Sequence, residues 1–126
     1  MTNQNLPELH QQVERFLSDF QRLIELFPCT FKKHKQNTDT LLQLGYSYNH
    51  VVEALHALTP DHYYAGPKLD EYHGGNYWEF GMVLEGQMIY IKIKIHTNKG
   101  GTDIPVCYSF HISEFPMNNF PLAGIS

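Results

Sequence analysis

Apolar residues recur at three- and four-residue intervals early in the chain, at Leu9, Val13, Phe16, Leu17, Phe20, Leu23, Ile24 and Phe27. This spacing lines them along one stripe of an α-helix. Pro7 suits a first helical turn and Pro28 stops the pattern, so one amphipathic helix is predicted over Leu9 to Phe27. Its stripe reads as core rather than as a cofactor or membrane face. Further on, "CTFKKHK" predicts a short strand and "TDTLLQLG" a short helix closed by Gly45. "SYNHVVEALHAL" predicts another helix, with Ser47 as N-cap, Pro60 beyond its end, and Val51, Val52, Leu55 and Leu58 facing inward.

After Pro60 the period changes to two. "HYYAGPKLDEYHGGN" is rich in turn formers and tyrosine, and three strand-like runs follow it: "NYWEFGMVL", "MIYIKIKIH" and "VCYSFHI". A tight loop at Glu85-Gly86 sets Leu84 opposite Gln87 and Val83 opposite Met88. Met82 then faces Ile89, Phe80 faces Ile91 and Trp78 faces Ile93. Together with Ile95 these residues share one face, and a slip of one residue would expose half of them, so burial enforces the register. The opposite face carries Tyr77, Glu79, Tyr90, Lys92 and Lys94, with Lys92 across from Glu79. Strict alternation in the last strand sets Val106, Tyr108, Phe110 and Ile112 on the apolar side and Cys107, Ser109 and His111 on the other. A return through "NKGGTD" brings His111 to the face of Tyr90, Lys92 and Glu79. Helices followed by a strand meander predict an α+β fold, N-terminal helices packed on one face of a short antiparallel sheet.

At 126 residues the chain is sized for one domain, 1–126. It divides into the helix over 1–27, a short strand and helices over 28–60, and the sheet over 61–117. With 42% hydrophobic and 17% charged residues it has a globular composition. The net charge of −4 does not give the whole-chain basicity usual for nucleic-acid binders, but "KKHK" and "IKIKIHTNK" leave local basic faces open. Two cysteines are too few for a disulfide scaffold. With no signal-peptide pattern and no long apolar run, a cytoplasmic location away from membranes is expected.

The polar sheet face gathers a carboxylate, a lysine, a tyrosine and a histidine. That set suits RNA cleavage by the 2′-hydroxyl. The reaction needs a base for the hydroxyl proton, an acid for the leaving 5′-oxygen, and cations at the phosphoryl oxygens. Histidine serves as acid or base near neutrality, lysine holds phosphate, and tyrosines stack bases. No metal or other cofactor is expected. An ordinary solvated sheet face looks the same, with Lys92–Glu79 as a cross-strand pair worth at most about 1 kcal/mol. The eight histidines and two cysteines show no CxxC, HxxxH or HExxH spacing for zinc. Cys107 near His96 or His111 reads as a packed thiol or as a nucleophile. The glycines of "YHGGN" and "NKGG" lack phosphate-loop spacing and read as turns.

Taken together, "LTPDHYYAGPKLDEYHGGNYWEFGMVLEGQMIYIKIKI" and "VCYSFHISEFPM" resemble the MqsR family of bacterial toxins, part of the RelE-like group of type II toxin–antitoxin ribonucleases. The likeness runs from about Leu41 to Met117 and rests on the order and spacing of its pieces. It implies a RelE-like fold and a small, metal-independent mRNA endoribonuclease held in check by a cognate antitoxin, expected to carry a helix-turn-helix domain. The family's strand tyrosine matches Tyr90, and the lysine two residues on matches Lys92. The position after the strand tryptophan, glutamine in well-known members, falls on Glu79. A lysine after "SF" falls on His111. Another family lysine falls near Gly66, where this chain has none, and Lys68 is the nearest substitute. The first helix is longer than in those members. The polar sheet face and the resemblance together point to His111, Tyr90, Lys92 and Glu79 as catalytic, with Glu79 orienting Lys92 or serving as base, and to Lys68, Lys94 and Tyr64 as substrate contacts. The alternative is a non-catalytic protein-binding module, or an inactive toxin relative, that uses its sheet face or edge.

Overall fold

The computed structural model describes residues 5–125, so the first four residues of the expected 1–27 segment, and Ser126, lie outside it. The first helix, α1, spans Leu6–Leu26. Asn5 caps it by accepting from the Glu8 N–H (3.3 Å), Pro7 sits in its first turn, and Phe27 ends it in extended geometry. Leu9, Val13, Leu17, Phe20, Leu23 and Ile24 are buried as their spacing predicts. Each contributes about 1.5–3 kcal/mol relative to exposure. Phe16 stacks on Trp78 at 5.0 Å between ring centroids. Phe27, expected in the stripe, is largely exposed because the helix has already ended there.

A two-residue strand β1 (Thr30–Phe31) leads to α2 (Lys35–Leu44), which ends at Gly45 in left-handed geometry. The helix α3 (Tyr48–His56) follows Ser47 and buries Val51 and Leu55, while Val52 is half-buried against the core. A single 3-10 turn at Pro60–His62 opens the sheet strands: β2 (Tyr63–Leu69), β3 (Asn76–Leu84), β4 (Gln87–Thr97) and β5 (Asp103–Ile112). The sheet order is β1-β5-β4-β3-β2, with β1 parallel to β5 and the other pairs antiparallel. The fold is therefore α+β, three N-terminal helices against a five-stranded mixed sheet, consistent with a RelE-like arrangement.

Two features differ from the expected antiparallel sheet. The sheet gains a parallel strand, β1. It also gains β2 from the stretch rich in turn formers, because Tyr63 and Ala65 pair with Phe80 and Glu79 despite register shifts around Gly66 and Pro67. The β3–β4 hairpin matches the predicted register at every pair from Trp78↔Ile93 to Leu84↔Gln87, and both turn residues, Glu85 and Gly86, have positive φ.

The core lies between the inner sheet face (Trp78, Phe80, Met82, Ile89, Ile91, Ile93, Phe110) and the stripe of α1 with Val51, Leu55 and Leu58. Where β1 ends, α2 completes the edge of β5. Asn37, fully buried, accepts from the Phe110 N–H (2.9 Å) and donates to the carbonyls of Lys32 (2.7 Å) and Tyr108 (3.0 Å). Thr40 accepts from the Ile112 N–H (2.9 Å). Side chains thus stand in for a missing strand, and the buried backbone groups stay paired. No helix among the described residues is long and apolar enough to cross a membrane.

Candidate functional site

The outer sheet face, turned away from α1, depends on one irregularity in β5. Ile112 pairs with Ile89, His111 with Tyr90, and Ser109 with Lys92, but the next pair is Cys107 with Ile93. Tyr108 is the extra residue of a β-bulge, which flips the parity of the strand behind it. Strict alternation therefore fails in the first half of β5. Cys107 turns into the core, fully buried, while Val106 and Tyr108 join the outer face. The bulged Tyr108 carbonyl is held by Asn37 and by the His34 Nε2–H (2.8 Å), so two residues of the α2 start fix the irregularity. His111 keeps its predicted place beside Tyr90.

One cluster is built around Glu79. Tyr90 donates its hydroxyl to Glu79 Oε2, and Lys68 Nζ, reaching over from β2, lies 2.6 Å from Oε1 in a contact held by charge. Glu79 is buried; Oε2 accepts the Tyr90 hydrogen bond, and Oε1 meets the Lys68 charge without a hydrogen-bonding geometry. The Glu79 contact raises the Lys68 pKa, against the opposing pull of burial. Burial first, then the hydrogen bond and negative charge of Glu79, push the Tyr90 phenol far above its ordinary range, so Tyr90 keeps its proton. The His111 ring packs 5.5 Å from that of Tyr90 and 6.1 Å from that of His34. His111 Nδ1 lies 2.9 Å from the Ile112 carbonyl. A carbonyl only accepts, so Nδ1 carries the hydrogen and Nε2 is left for other chemistry. The residue is only 8% exposed.

A second cluster surrounds Lys92 and Tyr108. Lys92 Nζ sits 4.0 Å from the Tyr77 ring centre and 5.6 Å from that of Tyr108. Among the described residues it has no carboxylate partner, because Lys68 has taken Glu79. The expectation that Glu79 orients Lys92 is corrected accordingly: the two stand opposite in register, but the β2 strand, unseen in the sequence pattern, supplies the partner. Lys94 is also corrected. It is fully buried, donating to Asp70 Oδ2 (3.0 Å) and to the Gly74 carbonyl, and does not reach the surface as a substrate contact. Burial alone would raise the Asp70 pKa. Hydrogen bonds from Lys94, the His73 N–H, the Tyr108 hydroxyl and the Tyr72 N–H outweigh it and hold the carboxyl well below the usual range. Burial and then Asp70 push the Tyr108 phenol up to about 12.

The C-terminal segment walls one side of the face. Phe115 packs between Tyr64 and Tyr90 (5.9 and 5.8 Å), and Phe120 also meets Tyr64 (5.9 Å). This close crossing needs Gly81, where a Cβ would stand 2.8 Å from Met117 Cε and 2.9 Å from Phe120 Cζ. Tyr64 is thus half-buried in an aromatic wall next to the cluster.

The structure brings together His111, Tyr90, Glu79 and Lys68, places Lys92 one step along the face, seats Tyr64 in the adjoining wall, and removes Lys94. Pattern reading missed the roles of Tyr108, His34, Asp70 and His73. Strict alternation places Tyr108 in the core, because nothing in its sequence neighbours marks a bulge. Neither cysteine suits nucleophilic use: burial raises the Cys29 thiol to about 12, and burial with the proximity of Cys29 raises Cys107 well above its ordinary value. A groove of about 410 Å³ lies elsewhere, where Gln21 ties α1 to the carbonyls of Leu55, His56 and Leu58. Glu14, Arg22, Glu25 and His56 line it, but among the described residues no hydrogen bond or ion pair joins these side chains to one another. Comparison with models of protein families, with curated proteins and with solved structures finds no match to this chain.

Proposed function

We propose that the protein is a metal-independent endoribonuclease that cleaves mRNA as the toxin of a type II toxin–antitoxin pair and is neutralised by a cognate antitoxin, as its resemblance to the MqsR family implies. The observation that carries the chemistry is that His111 and an unpaired Lys92 share one sheet face as diagonal cross-strand neighbours, a relation that sets their backbones about 7–8 Å apart. Lys92 binds the phosphoryl oxygens of the scissile group. His111 Nε2 takes the 2′-hydroxyl proton, the 2′-oxygen bonds to phosphorus, the P–O5′ bond breaks, and the 5′-oxygen takes a proton from solvent. The products are a 2′,3′-cyclic phosphate and a 5′-hydroxyl. Tyr90 holds its own proton, so its part is to position the imidazole and to offer a ring to a base. Glu79, hydrogen-bonded by Tyr90 and charge-paired with Lys68, orients both rather than acting as base.

The test is cleavage of RNA by purified protein in the presence of a chelator, together with induced expression in a bacterial host. Wild type should cut RNA and arrest growth. His111→Ala should lose about 10²–10⁴ in cleavage rate, the usual contribution of a positioned acid or base, and relieve the arrest. Intact RNA with the wild-type protein would end this reading. The slight exposure of His111 favours, as a second reading, a non-catalytic binding module. In that case His111→Ala leaves function untouched while apolar surface substitutions abolish it.

A further inference from the structure

The bulge in β5 builds a feature that the ribonuclease chemistry does not use. Turned outward, Val106 joins Ile104 as the apolar floor of a cavity of about 190 Å³. The Tyr108 ring forms one wall, and Lys32, His73 and His96 line its rim. Tyr108 sits among basic side chains drawn from separate parts of the chain. Lys32 Nζ, from the β1–α2 connection, is 5.9 Å from its ring centre, and Lys92 Nζ, from β4, is 5.6 Å away. His73, from the β2–β3 loop, stacks on the ring at 5.8 Å. The nearby carboxylate, Asp70, is already neutralised by Lys94, so it does not repel an anion. His73 is steered by Asp70 Oδ1 at 3.4 Å and by the Tyr108 hydroxyl at 3.3 Å from Nδ1. An apolar floor, an aromatic wall and two unpaired lysines close to that ring are the parts of a single-stranded nucleotide site: the base lies on apolar and aromatic surface, and the backbone phosphates meet the cations.

We infer that the cavity beside Tyr108 is a nucleotide subsite adjoining the His111–Lys92 position, with Lys32 and Lys92 gripping phosphates on either side of one bound nucleotide. It rests on the ribonuclease reading for its biological substrate, a single-stranded RNA extending past the cleaved bond, but it is testable without cleavage. The probe is a short fluorescent oligothymidylate, which lacks the 2′-hydroxyl and so is bound but not cut. Its affinity is measured by anisotropy across a salt series with wild type, Lys32→Ala and Lys33→Ala, the last a neighbouring lysine that does not line the cavity. Both lysines are exposed, so neither change disturbs the fold. Lys32→Ala should weaken binding and reduce the slope of log K against log salt by about 0.7, the value for one lost phosphate contact on a single strand, whereas Lys33→Ala should match wild type. No binding by wild type, an unchanged Lys32→Ala, or equal losses in both variants would overturn the subsite. RNA cleavage is scored separately. Loss of binding in Lys32→Ala without any cleavage by wild type leaves the subsite standing and removes the ribonuclease reading. Cleavage with an unaltered Lys32→Ala affinity removes the subsite alone.

Discussion

Replacing Lys94 with methionine separates a structural lysine from the proposed phosphate-binding lysine two residues away. Lys94 carries its charge into the protein, its side chain 1% exposed, and meets Asp70 at 3.0 Å. Methionine keeps an unbranched apolar stem and removes the charge. Asp70 then retains donors at the Tyr108 hydroxyl (3.0 Å), the His73 N–H (3.1 Å) and the Tyr72 N–H (3.2 Å), with the His73 ring 3.4 Å away, but loses its lysine counter-charge. Breaking a buried pair from one side costs about 3–5 kcal/mol, and the three remaining donors place this case near the lower end, about 3 kcal/mol. For a domain of this size that corresponds to a fall of roughly 10 °C in Tm. The double variant Lys94→Met/Asp70→Asn should recover much of the loss, since neutral replacement of a buried pair is often tolerated. Lys92→Met, which gives up only a partly exposed cation–π contact worth about 0.5–1 kcal/mol, should melt within a few degrees of wild type and lose RNA binding instead.

The acid limb supplies an independent check on the same pair. The Asp70 carboxyl is held below its unfolded value of about 3.9, so its contribution to stability is complete above roughly pH 5 and drains away as the pH falls through the folded value. The double variant, having no carboxyl at 70, should show a shallower loss of stability on acidification. Thermal melts of the four proteins across a pH series give both readouts. A Lys94→Met protein melting within about 2 °C of wild type would refute the buried pair and return Lys94 to the surface.

Two further outcomes bear on the scaffold. Asn37→Leu removes three hydrogen bonds that stand in for a missing strand. The Tyr108 carbonyl keeps His34, so the Phe110 N–H and the Lys32 carbonyl are the groups orphaned. At about 1–3 kcal/mol each, urea unfolding should show a loss of at least about 2 kcal/mol, and the Phe110 amide should exchange faster; unchanged exchange would contradict the edge-capping role of α2. Cys29 and Cys107, both buried with raised thiol pKa values, should resist a thiol-reactive dye at mildly alkaline pH until the protein is unfolded; prompt labelling of the native protein would mean that the sheet is open there.

Elements whose side chains answer to a single local period were legible from the chain alone. The stripe of α1, the Gly45 stop of α2 and the whole β3–β4 register follow from such patterns, because a helix or a hairpin that is half buried has one favourable phase. The same reasoning carried His111 to Tyr90, since the stretch from His111 to Ile112 keeps its parity. Only the tertiary structure decided the rest. β2 forms from turn-rich sequence because β3 offers it an edge. The bulge at Tyr108 exists because Asn37 and His34, more than seventy residues earlier, bind its carbonyl. That one displaced residue moved Cys107 into the core, Val106 and Tyr108 out of it, and Lys92 into an aromatic setting, while β2 delivered Lys68 to Glu79. Alternation along a strand is a local property, but where the alternation breaks is set by partners distant in sequence, and no period in the chain records them.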